Sequence, residues 1–190
     1  MIKVTGLSKS YNGKNVFADL TFEIKDTGIT VISGASGKGK TTLARILAGL
    51  EKSYGGEIRG IENKKISLMF QEDRLFEHLS ALENVSLVCS EKKAQDILKY
   101  LELENSIHLK PSQLSGGMCR RVALARAISF EGDILILDEP FKGLDITLKE
   151  KAFDLIKNYS KNHCVILISH DENEINQCDD VIELNMLTKN

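Results

Sequence analysis

The chain has 190 residues, 42% of them apolar, enough for one sizeable core, and its net charge of −2 gives no reason to expect a nucleic-acid partner. The opening Met1-Ile2-Lys3-Val4-Thr5-Gly6 is too polar for a signal peptide. No apolar run approaches the roughly 18 residues needed to cross a bilayer, so any membrane role is expected to come through a partner.

In chain order, Ile2 and Val4, then Leu20, Phe22 and Ile24, alternate with polar residues as strands with one buried face do. Residues 29–33 form a short apolar run that ends in glycines and leads into a helix over 42–48, giving strand, phosphate loop, helix. Residues 66–70 read as another strand. The next third is helical over 80–90, 91–103 and 118–128, with Pro111 breaking the chain between the last two. We read residues 79 to about 130 as a helical insertion in a single domain spanning 1–190. The runs 133–138 and 164–169 are continuously apolar, typical of parallel strands buried on both faces. A helix over 147–159 joins them by a right-handed crossover. Residues 181–184 read as an edge strand before a short tail expected to fray. The four cysteines, Cys89, Cys119, Cys164 and Cys178, are scattered without a C-x-x-C pair and are read as reduced thiols.

Gly34-Ala35-Ser36-Gly37-Lys38-Gly39-Lys40-Thr41 satisfies G-x-x-x-x-G-K-[ST] between a buried strand and a helix, the context that gives the motif meaning. The glycines let the backbone wrap a β-phosphate, with the N–H groups of Gly37, Gly39 and Lys40 turned inward. Lys40 supplies a point charge to the β- and γ-phosphates, and the Thr41 hydroxyl is placed to ligate Mg²⁺. Lys38 is expected to project into solvent. A second glycine-rich turn, Leu114-Ser115-Gly116-Gly117-Met118, opens an apolar helix and offers another set of free N–H groups at a positive helix end. Two anion cradles with one nucleotide-sized pocket make sense if two copies close over ATP, each lending its second cradle to the other. Asp138 ends an apolar strand, where a carboxylate can hold Mg²⁺ through a water. Glu139, one residue on, is expected to point the other way along the strand, toward an attacking water.

With these motifs in hand, the chain resembles the ATPase subunit of an ATP-binding-cassette transporter, from about residue 2 to residue 184. Gly34 to Thr42 corresponds to Walker A, Gln71 to the Q-loop glutamine and Leu114 to Met118 to the signature. Ile134 to Glu139 corresponds to Walker B, Gly143-Leu144-Asp145 to the D-loop and His170 to the switch histidine, with Tyr11 where the family places an adenine-stacking aromatic. The resemblance implies an α/β P-loop NTPase fold: a parallel-sheet core, an N-terminal antiparallel β subdomain and a helical insertion. It implies a nucleotide-binding set of Tyr11, Gly34, Ala35, Ser36, Gly37, Lys38, Gly39, Lys40, Thr41 and Thr42. Ser115, Gly116 and Gly117 would reach the γ-phosphate held by the other subunit. Thr41, Gln71 and Asp138 would serve Mg²⁺, and Lys40, Gln71, Glu139 and His170 would carry the hydrolysis of ATP. Asp145 would lie at the subunit interface.

The implied partners are a second such subunit, transmembrane permease subunits at the cytoplasmic face of the membrane, and an extracytoplasmic solute-binding protein. The phrases Met69-Phe70-Gln71-Glu72-Asp73-Arg74-Leu75, Leu82-Glu83-Asn84-Val85 and Asp138-Glu139-Pro140-Phe141 look most like importers of the nitrate, sulfonate and taurine type. Two departures stand out. Lys38 replaces a small residue, and Cys119-Arg120 stands where the family often has a basic residue and then glutamine; both are expected to leave nucleotide binding intact. The alternative is a soluble ATP-driven clamp on ribosomes or DNA. Such proteins usually carry two cassettes or a long coiled coil, and this chain has one cassette and no heptad run.

Overall fold

A computed structural model describes residues 1–52 and 54–184; the tail expected to fray lies outside them. Its centre is a five-stranded sheet built from β3 (Gly28–Ser33), β5 (Ile66–Met69), β6 (Ile134–Asp138), β7 (Cys164–Ile168) and β8 (Asp180–Glu183). The order is β5-β6-β7-β3-β8, and every pair is parallel. The uninterrupted apolar runs are explained by burial on both faces. In β7, Val165 and Leu167 face one core with α2 (Ala81–Ser86), α3 (Glu91–Tyr100), α4 (Gly116–Ser129) and α5 (Ile146–Ser160). Cys164, Ile166 and Ile168 face a second core, filled by α1 (Lys40–Leu47) and a separate sheet. That sheet is three-stranded and antiparallel, in the order β2-β1-β4, from β1 (Ile2–Tyr11), β2 (Lys14–Ile24) and β4 (Gly55–Arg59). The α/β class, the parallel core, the antiparallel N-terminal sheet and the intervening helices are therefore all present.

Several boundaries differ from the sequence reading. Helix α2 stops at Ser86 rather than running to residue 90, and Ser90 instead caps α3 by accepting from the Lys93 N–H. Helix α4 begins two residues earlier than read, at Gly116, with the Ser115 hydroxyl as its cap. Strand β2 extends back to Lys14, and β4 and the short α6 (Glu172–Ile175) have no counterpart in the sequence reading. In β4 only Ile58 is buried, so no alternation marks it. Strand β8 lies at the sheet edge, as read. The helices at 81–129 share one continuous core with Leu135, Leu137, Val165 and Leu167 rather than enclosing one of their own.

Candidate active site

The phosphate loop follows β3 directly and turns through left-handed backbone at Gly37 (φ 79°) and Gly39 (φ 86°), conformations glycine adopts without strain. Gly39 is also fixed by packing, since a Cβ there would lie 2.4 Å from Val16 of β2. Beside Gly37 the space is open. Helix α1 opens on Gly39 with no side-chain cap. Among the described residues, no hydrogen bond engages the N–H groups of Gly37, Gly39, Lys40 or Thr41. Free donors at a helix N-terminus behind an open glycine turn fit a phosphate chain. Lys40 is buried, and its ammonium donates to the Gly34 and Ala35 carbonyls at 2.7 and 3.0 Å, closing the loop on itself. Lys38 is exposed, as expected.

Thr41, in the first turn of α1, and Asp138, at the end of β6, meet at 2.7 Å, hydroxyl donating to carboxylate. Burial pushes the Asp138 carboxyl above the usual carboxylate range; the Thr41 hydroxyl works against this, while neighbouring Glu139 adds to it. Two hard oxygen donors so placed fit Mg²⁺, a metal that takes few protein ligands and completes its shell with phosphate and water.

Glu139 does not continue the strand. Strand β6 ends at Asp138, and Glu139 turns into left-handed backbone at φ 50°, its N–H bonded to Ile168 O at 3.0 Å. The expected strand alternation is thus replaced by a turn that aims the carboxylate into a cleft of about 500 Å³. Gln71, Phe141, Lys142, Lys149 and His170 share that cleft. The Gln71 amide donates to Glu139 at 3.3 Å, His170 Nδ1 lies 3.4 Å from it and Lys142 Nζ 3.9 Å. Gln71, Glu139 and His170 therefore converge from the ends of three adjacent strands, β5, β6 and β7. With its N–H committed to Glu139, Gln71 keeps its carbonyl oxygen available as an acceptor or a metal ligand.

Tyr11 ends β1 half-exposed and is not a core aromatic. Its hydroxyl donates to Glu51 at 3.1 Å, and the buried Lys9 ammonium sits 4.5 Å from the ring centroid. Ser115 and Gly116 are exposed, and no atom would meet a Cβ on Gly116. Gly117 instead packs on the D-loop, where a Cβ would lie 2.9 Å from Gly143 O. Among the described residues no hydrogen bond or ion pair joins 115–117 to 34–42, so one copy leaves its two cradles unconnected. Asp145 caps α5 by accepting from the Leu148 N–H at 2.9 Å.

Sequence reasoning passed over several residues. Arg120 is read only as a departure expected to leave nucleotide binding intact, yet its guanidinium is buried behind Glu139. Lys149 bridges Asp171 and Glu174 at 2.5 and 2.6 Å directly behind His170, and Ser169 donates to Glu174. One available signal for Arg120 was its position near the head of a helix that turns apolar two residues later, at Val122-Ala123-Leu124-Ala125.

The fold and the site together define a P-loop nucleotide-binding protein with an added signature helix. The family described as "ABC transporter" matches residues 17–142, and the chain belongs to it. It is 31% identical to a "Sulfate/thiosulfate import ATP-binding protein CysA" of Bacillus cereus, the match covering 97% of this chain and 58% of that protein. It is also 31% identical to a "Spermidine/putrescine import ATP-binding protein PotA" of Vibrio vulnificus, covering 92% of this chain and 52% of the relative. The chain thus spans a little over half the length of these curated relatives. Among solved structures, the dimeric ATP-binding cassette MJ0796 in a post-hydrolysis state bound to ADP and Pi superposes with a TM-score of 0.88 at 30% identity. That match covers 96% of this chain and 94% of the cassette.

Proposed function

We propose that the chain is the ATP-hydrolysing cassette of a membrane importer and that it works as a pair closed over ATP. The observation that carries this is the division of the site. Thr41, Asp138, Gln71, Glu139 and His170 are gathered by the parallel sheet, while Ser115 and Gly116 stand exposed and apart at the head of α4. A second copy would bring its own Ser115, Gly116 and Gly117 to the open side of the phosphates, with Asp145 near the join.

In this reading Tyr11 stacks on the adenine. Residues 34–42 grip the phosphates through free N–H groups, and Lys40 leaves its two carbonyls to pair with the β- and γ-oxygens. Thr41, Asp138 and the Gln71 side-chain carbonyl would hold Mg²⁺, which would supply charge neutralisation on the phosphates. Glu139 orients and deprotonates the attacking water, and His170 contacts the γ-phosphate from the neighbouring strand end. The partners in this reading are transmembrane permease subunits, met at the cytoplasmic face, and an extracytoplasmic solute-binding protein; the relatives' printed roles as import ATP-binding proteins support it. Those relatives name sulfate, thiosulfate and polyamines, whereas the sequence phrases point to nitrate, sulfonate and taurine; the solute is set by subunits other than this one.

The test is ATP turnover per molecule across a wide protein dilution series, with light scattering in parallel. Shared sites require specific activity to rise with concentration as dimers form by mass action. Flat specific activity from a protein that stays monomeric with MgATP would overturn the paired-site reading.

A further inference from the structure

The site residues Gln71, Asp138 and Glu139 sit at the ends of two separate strands, β5 and β6, and one side chain binds both ends. Arg120, on the first turns of α4, is 3% exposed. Its Nη1 donates to Phe70 O at 2.9 Å, to Gln71 O at 3.0 Å and to the Asp73 carboxylate at 2.9 Å. Its Nη2 donates to Asp138 O and to Glu139 O, the latter at 2.6 Å, and Nε donates to Glu139 O at 3.2 Å. The planar guanidinium thus fastens the main chain on both sides of the cleft to the helix that carries Ser115, Gly116 and Gly117.

We propose that Arg120 is a positioning residue for hydrolysis, holding the Gln71 and Glu139 backbones in register with each other and with the head of α4. This inference rests on the ATPase reading above. Two features make it more than packing. Glu139 occupies left-handed backbone at φ 50°, which for a residue with a Cβ persists only where the surroundings over-determine it. The Arg120 fork grips the carbonyl of that same residue. Moreover, every bond on the catalytic side goes to main-chain carbonyls, so Arg120 fixes where the two side chains start without competing for their polar atoms. Neither glutamine nor lysine can reproduce this, since only a guanidinium offers five donors in a fixed plane. Arg120 touches no part of the phosphate loop among the described contacts, so ground-state nucleotide binding is separable from its role.

The experiment compares wild type, Arg120→Gln and Arg120→Lys for kcat and KM with MgATP, and for affinity by titration of a trinitrophenyl-ATP probe. Misplacing a catalytic group by about 1 Å costs about 10²-fold in rate. We expect kcat to fall by about 10–10²-fold in both variants, with KM and probe affinity within about threefold of wild type. Arg120→Lys keeps the charge for Asp73 and decides the matter should Arg120→Gln not fold. In a Glu139→Gln background, Arg120→Lys should add no further loss of rate, because the group it positions is already disabled. Wild-type kcat in Arg120→Lys, or equal losses in kcat with and without Glu139, would overturn the proposal. A wild-type chain that hydrolyses no ATP at any concentration would instead defeat the parent reading.

Discussion

Replacing Lys149 by Met tests whether the ion pairs behind His170 hold the cleft wall together. Lys149 projects from the end of the first turn of α5 and bridges Asp171 and Glu174 at 2.5 and 2.6 Å. The exposures differ: Glu174 is 8% exposed in its side chain, Asp171 37% and Lys149 26%. An exposed pair contributes about 0–1 kcal/mol, whereas stranding one buried charge costs about 3–5 kcal/mol. Glu174 lies near the second case and Asp171 near the first, and the Ser169 hydroxyl still donates to Glu174 in the variant. The expected loss is therefore about 2–3 kcal/mol, which for a chain of this size lowers Tm by about 4–12 °C.

The pH dependence gives a second handle. The hydrogen bond from Lys149 holds the Asp171 carboxyl below the usual carboxylate range. A depressed folded pKa stabilises above the unfolded pKa and stops doing so as pH falls through the folded one. The gap between wild type and Lys149→Met should thus be full at pH 7.5 and narrow below about pH 4. Urea unfolding followed by far-UV circular dichroism measures both. A gap under about 0.5 kcal/mol at pH 7.5, or one unchanged at low pH, would refute the reasoning.

Glu139→Gln should bind MgATP, lose about 10²–10⁴-fold in turnover and accumulate as a dimer on size exclusion, because the amide keeps the shape and removes the base. Asp138→Asn should instead weaken productive binding through the metal site proposed at Thr41 and Asp138, and near wild-type turnover in Glu139→Gln would remove that carboxylate from the mechanism. Tyr11→Ala should weaken ATP more than inorganic triphosphate, by about 1–3 kcal/mol if base stacking is lost. Competition titration distinguishes this from equal losses, which would mean that the ring only supports the β1 end through Glu51.

The parts legible in the sequence are those whose chemistry belongs to consecutive residues. The phosphate loop reads directly because its free backbone N–H groups and left-handed glycines are written locally at Gly34 to Thr41. The two-faced burial of β6 and β7 reads from unbroken apolar runs, since each face needs every second residue. Strand β4 does not read because Ile58 is its one buried residue, and its place in the sheet comes from backbone pairing with Lys3, Val4 and Thr5. Lys149 and Glu174 do not read either: each is an ordinary surface residue by type, and only the packing of α5 beside the end of β7 makes them partners.

Glu139 shows the limit most clearly. A strand model puts its side chain opposite to Asp138 by simple alternation, and the residue does face the cleft, but for another reason. The chain leaves the strand at that residue and enters left-handed backbone, a conformation that costs a non-glycine residue about 1–3 kcal/mol. No property of glutamate announces this. The turn is held from outside, by Ile168 O accepting its N–H and by Arg120 donating to its carbonyl. Those two anchors come from β7 and α4, the elements that also carry His170 and the exposed cradle. The orientation of Glu139 is therefore set by the same two elements that carry His170 and the exposed cradle, through main-chain bonds that leave its carboxylate free to face the cleft.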